Sequence, residues 1–239
     1  MKRKVDWKTR FNVFAYLSLV VSLIFLLIRW YLSPNLASDL IEVRTKSDYT
    51  LMITQCLLGV VAMRLPDIFE KKWHIRFPST MIFLYVLFLY CAIYLGEVRS
   101  FYYIIPNWDT ILHTFSGGMI AVIGFSVICL MNNSEKIPVN LSPIFVSMFA
   151  FCFALSIGVV WEIYEYTFDG FLGMNMQKFR LEDKTELVGR LALMDTMKDL
   201  IVDAIGAFVT SSVGYISLKY DKKWLDRMFI RKTKEEVDL

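Results

Sequence analysis

Six long apolar runs dominate the sequence, and they leave few folds open to it. A stretch of roughly 20 mostly apolar residues is long enough to cross the hydrocarbon of a bilayer as a helix. The runs fall at about 11–32, 49–65, 79–97, 109–131, 143–167 and 196–218. Pro34, Pro66, Pro78, Pro106, Pro138 and Pro143 all lie at or outside their ends, where helix-breaking residues are tolerated. Backbone in lipid must satisfy its own hydrogen bonds, so the expected fold is all-α, a polytopic membrane bundle of about six helices. No repeat or low-complexity linker divides the 239 residues. Residues 1–239 are therefore expected to form a single integral membrane domain, with 219–239 a basic cytoplasmic tail.

Composition agrees. The chain is 56% hydrophobic, with a mean hydropathy of +0.48, above the usual 45–50% apolar content of soluble domains. The net charge of +3 implies no nucleic-acid partner. Cys56, Cys91, Cys129 and Cys152 each fall inside an apolar run without CxxC or CxxH spacing, so they read as small buried hydrophobes. The run Phe11–Ile28 follows a basic start but leads into Arg29-Trp30-Tyr31, which reads as a retained span and not a cleaved signal.

Basic residues set the expected direction. With six spans both ends lie on one side. That side collects Lys2, Arg3, Lys4, Lys8 and Arg10, then Arg64, Lys71, Lys72, Arg76 and Lys136, and seven more between Lys219 and Lys234, together 17 of the 26 Lys and Arg. Both termini are expected in the cytoplasm. The starts of the fourth and sixth runs and the end of the fifth then share the extracytoplasmic side, as does Glu97 at the end of the third. The charged connection 170–194 lies there too, as a lid or a plain loop.

Those three ends carry acids at helical spacing. Asp109 and His113 are four apart, with Ser116 and Gly117 one turn further on. Glu162, Glu165 and Asp169 are spaced i, i+3, i+7, and Asp195, Asp199 and Asp203 i, i+4, i+8. A carboxylate in or near lipid is costly and marks a functional site by default. The stripes predict one polar pocket. Gly117, Gly118, Ala121, Gly158, Gly206 and Ala207 follow them, small enough for close helix approach. The pocket supports a divalent metal (Mg, Mn or Zn) on Asp109, His113, Glu162 and Asp199, with Glu165 or Asp203 as base. Asp169, Asp195 and Ser116 complete it. Metal-free acid–base chemistry and cation or proton carriage use the same residues, and a purely structural set would pair with Arg99, Lys198 or Arg190. The other histidine, His74, lies in a basic loop and reads as solvated.

The order D-x3-H, WExxE and DtxxDxxxDxxGA over Trp108–Gly206 resembles the YjdF-type family of bacterial inner-membrane proteins, a family of unknown function. More distantly it is similar to the VanZ-like group, from which it departs in reading DAIG where an Asn tends to precede the glycine. The resemblance implies a multi-pass protein of the bacterial cell membrane and hints at envelope lipids or precursors as substrates. The leading expectation is a multi-pass cell-envelope membrane protein with an acidic, metal-capable pocket open to the outer leaflet, which as an enzyme would be a metal-assisted hydrolase or transferase acting on envelope lipid head groups, with the lipid bilayer as its partner. The alternatives are a small proton- or cation-coupled transporter and a non-catalytic envelope-assembly protein. Ser126 and Thr210 to Ser212 are the notable polar candidates for a path to the cytoplasm.

Overall fold

The computed structural model of the protein describes residues 6–33, 44, 46–132, 141–181, 185–220 and 228–232. The N-terminal Lys2, Arg3 and Lys4, the connection holding Lys136 and Pro138, Pro34, and most of the basic tail lie outside these residues. Among the described residues six helices are long and apolar enough to cross a membrane. They are α1 (Trp7–Leu32), α2 (Lys46–Ala62) running on into a short α3 (Leu65–Trp73), α4 (Ser79–Leu89) continuing as a π-helical segment (Tyr90–Val98), α6 (Trp108–Asn132), α7 (Pro143–Leu172) and α8 (Met194–Lys219). A single turn, α5 (Phe101–Ile104), precedes α6.

The helices form where propensity and boundaries agree. Ser142 caps α7 by accepting from the Phe145 amide at 3.4 Å, Pro143 occupies its first turn, and Gly173 ends it in the left-handed conformation at φ +64°. Their outward faces are apolar: Val13, Phe14, Leu17, Val21 and Ile24 on α1 are all more than half exposed. The interior instead holds carboxylates. That inversion suits a hydrocarbon surrounding and not water.

Two three-helix groups make up the bundle. In the first, α1, α2 and the α4–π rod pack around Leu19, Leu26, Met52, Cys56 and Ile93. Arg29 donates to the Tyr49 hydroxyl at 3.2 Å and the Tyr85 hydroxyl caps the Ala62 carbonyl at 2.9 Å. The second joins α6, α7 and α8, with α6 against α8 the most extensive packing among the described helices. Small residues permit this. A methyl at Gly117 would meet the Asp203 backbone, and one at Gly206 would overlap the Thr114 carbonyl. Below them Ala121, Ala154 and Ala207 form a fully buried layer, and Phe125 seals the next one. The groups meet where α4 and the π segment touch α6, while α2 and α7 barely touch.

Two features depart from the sequence reading. The expected loop after the second span contains α3, with Pro66 in its first turn, followed by a short strand β1 (Ile75–Arg76). His74 closes α3 in the left-handed conformation at φ 50°, so it has a turn-forming role. Residues 228–232 of the tail, read from the sequence only as basic and cytoplasmic, pack against the bundle. Their strand β2 (Arg231–Lys232) pairs antiparallel with β1, and Ile230 is buried against Met81 and Val122. Two-residue strands carry no readable alternation. The Ile230 amide donates to the Ser126 hydroxyl at 3.2 Å, which donates to the Val122 carbonyl at 3.0 Å. Ser126, fully buried, is thus committed to docking the tail. Ser126→Ala should cost about 1 kcal/mol by stranding that amide, readable as a lowered Tm in detergent.

Candidate functional site

The first turns of α6 and α8 and the last three turns of α7 bring their acids to one level. Asp199, Asp203, Glu162, Asp169, Glu165 and His113 are all buried, and Asp109 and Asp195 are part-buried. His113 is the hub. Its Nδ1 lies 3.4 Å from Asp203 Oδ2, and its Nε2 faces Asp109 Oδ1 at 3.7 Å and Asp199 Oδ2 at 4.0 Å. Gly158 makes room for the Asp203 carboxylate, since a methyl there would stand 2.6 Å from Oδ2. The Ser116 hydroxyl donates to the His113 carbonyl at 2.9 Å and lies 3.3 Å from Asp203 Oδ1.

Of the four metal ligands expected from the sequence, Asp109, His113 and Asp199 present donor atoms within 4.8 Å of one another. Glu162 stands outside that group. Its two oxygens are buried without a hydrogen-bond partner. Gln177 and Thr196 lie near it but bond each other at 2.8 Å. Glu165 is held through Oε1 by the Trp161 indole N–H at 2.9 Å and faces the cavity described below. Asp169 is turned away from the hub, because both its oxygens accept amides of the following loop, Met176 at 2.7 Å and Gln177 at 3.0 Å. Asp169→Ala should free this loop, raising amide hydrogen exchange at 174–178 by tenfold or more; that factor corresponds to about 1.4 kcal/mol.

The cation among these acids is Lys178, which the sequence reading passed over. Its ammonium bonds Asp109 and sits 3.0 Å from Asp195, while its backbone adopts φ 47°. Among the described residues Arg99, Lys198 and Arg190, the partners weighed from the sequence, make no ion pair. Burial pulls the Lys178 ammonium toward the neutral form, but Asp109 and Asp195 outweigh it and hold its pKa above the ordinary lysine value. Lys178 lies in the connection 170–194, where no periodicity signals which residue folds inward.

Beside the hub lies a cavity of about 330 Å³ between α2, the α4–π rod, α6 and α7. That is the low end of small-molecule site volumes. Glu97, Asp109, His113, Glu165, Asp203 and Lys178 line one end of it. Leu58, Ala62, Tyr85, Ala92 and Ile123 line the rest. Glu97, noted in the sequence only for its level, enters the site because the π-helical segment carries it. The Cys91 carbonyl of that segment accepts from the Trp108 indole N–H at 3.3 Å. Such π segments recur at functional sites.

Fold and site together define a multi-pass membrane protein with a buried group of acids around one histidine. The chain belongs to the family described as "Predicted membrane protein (DUF2238)", which matches residues 15–220. This agrees with the resemblance to a membrane family of unknown function. The protein is also similar to an "Uncharacterized protein" of Thermotoga maritima, 26% identical over 152 residues, covering 63% of this chain and 69% of that one. No solved structure matches.

Proposed function

We propose that this is a bacterial inner-membrane protein that binds a divalent metal on Asp109, His113 and Asp199 and acts as a hydrolase or transferase on envelope lipid head groups. One observation carries the reading, the two-sided engagement of His113. A proton on Nδ1 directed at Asp203 leaves the Nε2 lone pair aimed between Asp109 and Asp199. That is the arrangement in which a carboxylate fixes the tautomer of a metal-binding histidine. Separations of 3.7 and 4.0 Å are too long for hydrogen bonds yet near the span of two ligands about 2.1 Å from one ion. A divalent ion also relieves the crowding of carboxylates in a poorly solvated place.

In this reading Asp203 positions His113, whereas the sequence left it as one of two candidate bases. Glu165, which faces the cavity, contacts the head group, and Glu162, with no hydrogen-bond partner, is the carboxylate in reserve for the ion. Metal chemistry would polarise a head-group ester and activate water or an acceptor hydroxyl. The packing below the hub favours this over a conduit. The Ala121–Ala154–Ala207 layer and Phe125 place apolar side chains below the hub, and Ser126 is tied to the tail, while Ser211 is the buried polar side chain of the Thr210–Ser212 stretch.

The test is metal content and metal-dependent thermal stability of detergent-purified protein. Stoichiometric Mg, Mn or Zn in the wild type should be lost in His113→Ala. Asp203→Asn should weaken affinity by about 10–100-fold, the usual effect of disturbing the group that orients a ligand. Absence of stoichiometric metal, with no stabilisation by any of the three ions, would sink the proposal. Both termini are assigned to the cytoplasm, so a C-terminal alkaline phosphatase fusion should be inactive and a fluorescent-protein fusion bright.

A further inference from the structure

The cavity has two kinds of wall, and the way they meet selects a ligand. Its apolar length runs from Leu51 on α2 and Ile93 on the π segment down to Ala62 and Ile123. One end is acidic. There Lys178 is already engaged by Asp109 and Asp195. Among the described residues neither Glu97 nor Glu165 has a cation within ion-pair distance, Arg44 and Lys178 acting on Glu97 from beyond it, although both carboxylates line the cavity. Glu165 receives one hydrogen bond, from the Trp161 indole. Two carboxylates at the end of an apolar slot have room for a donor that carries positive charge, and their desolvation favours one that brings it.

The slot also has a side entrance. The facing helices α2 and α7 both contribute lining, from Gln55 and Leu58 on one and Ile157 and Trp161 on the other, yet barely touch. Leu58, Ile157 and Trp161 are 40–43% exposed, so the slot's own walls emerge at this gap. The gap lies along the apolar flank of two spans, where the surroundings are acyl chains.

We infer that the cavity takes a membrane lipid whose head group bears a primary amine, entering between α2 and α7, with the ammonium held by Glu97 and Glu165 and an acyl chain along the α2–π–α6 wall. This names the substrate class for the site assigned above and rests on its reading as a lipid head-group site, but not on the metal. An ammonium has three donors, enough for both carboxylates and one further acceptor. A phosphoglycerol head offers no cation, and the carboxylates would repel its phosphate.

The experiment uses the full chain in maltoside detergent, titrated with dioleoyl phosphatidylethanolamine and with its N-acetyl form, bound lipid being counted by native mass spectrometry. The wild type should take one equivalent of the amine lipid at least tenfold more tightly than the acetylated one. The Glu97→Gln/Glu165→Gln double variant, which keeps the acceptor for Trp161, should bind both forms equally. Ala92→Phe, which fills the slot and leaves the acids intact, should bind neither. Thermal unfolding of each variant establishes that it is folded. Equal wild-type affinity for the two lipids would overturn the proposal, as would a preference that survives in the double variant. Soluble phosphoethanolamine binding as tightly as the lipid would overturn the acyl-chain assignment. Metal content on the same samples separates the readings: amine preference without metal removes only the metal, and metal without amine preference removes only this inference.

Discussion

Gly206→Ala should cost the protein more than any ligand substitution does, and should abolish metal binding without touching a ligand. The added methyl would overlap the Thr114 carbonyl, and backbone cannot swing aside as a side chain can. The alternative is for α8 to move away from α6. Overpacking in a tight core costs about 1–3 kcal/mol. Here the loss should reach the upper end, because membrane helices associate through this close contact. The same displacement would carry Asp199 and Asp203 on α8 away from His113 on α6, opening separations of 3.4–4.0 Å that have no slack for one ion. The check is a Tm and a metal content for Gly206→Ala beside Ala204→Ser, a change on the same helix. A Gly206→Ala protein with wild-type Tm and full metal would show that α6 and α8 do not pack as described.

The second large effect is expected at Lys178. Lys178→Met removes the one charge that Asp109 and Asp195 share. Breaking a fully buried pair costs about 3–5 kcal/mol, but the Lys178 side chain is 34% exposed, so screening reduces the expectation to about 2 kcal/mol. For a chain of this size that is a fall in Tm of roughly 5 °C. The loop itself stays anchored through Asp169, so the loss is electrostatic and can be reversed. Added Mg, Mn or Zn should stabilise Lys178→Met more than the wild type, since an ion then supplies the missing charge. Lys178→Arg should keep most of the stability. In chelator, equal Tm for Lys178→Met and wild type would remove the lysine from the account. The sign with pH follows from its raised pKa. A cation held above its unfolded value stabilises fully below about pH 10.4 and loses that contribution only as pH climbs through the higher folded value.

Gly206 and Lys178 differ in how much of each is legible in the sequence. The glycine belongs to a stripe visible in the sequence, because residues three and four apart share a face and small side chains recur beside the acids. Which glycine meets which backbone was not visible, since it depends on the crossing of two helices. The lysine had no signal at all. It sits in an irregular connection, and its inward turn depends on Asp169 receiving two amides further along the chain. Glu97 lies between these cases. Its level followed from the span boundaries, but its entry to the cavity follows from the π-helical segment, which rotates the end of the helix relative to a regular one.

By itself the sequence determined that this protein is a helical membrane bundle, because apolar length is a local property and lipid admits few backbone solutions. It also determined that acids at the ends of three spans share a helix face, because period 3.6 is local too. Tertiary structure alone decided the rest. It split the bundle into two groups with a gap between α2 and α7, and docked the tail on Ser126. It set Lys178 among the carboxylates, gathered Asp109, Asp199 and Asp203 around His113, and left Glu162 outside. Each of these depends on contacts between residues far apart in the chain, fixed by how closely whole helix faces fit, and no short window of sequence contains that information.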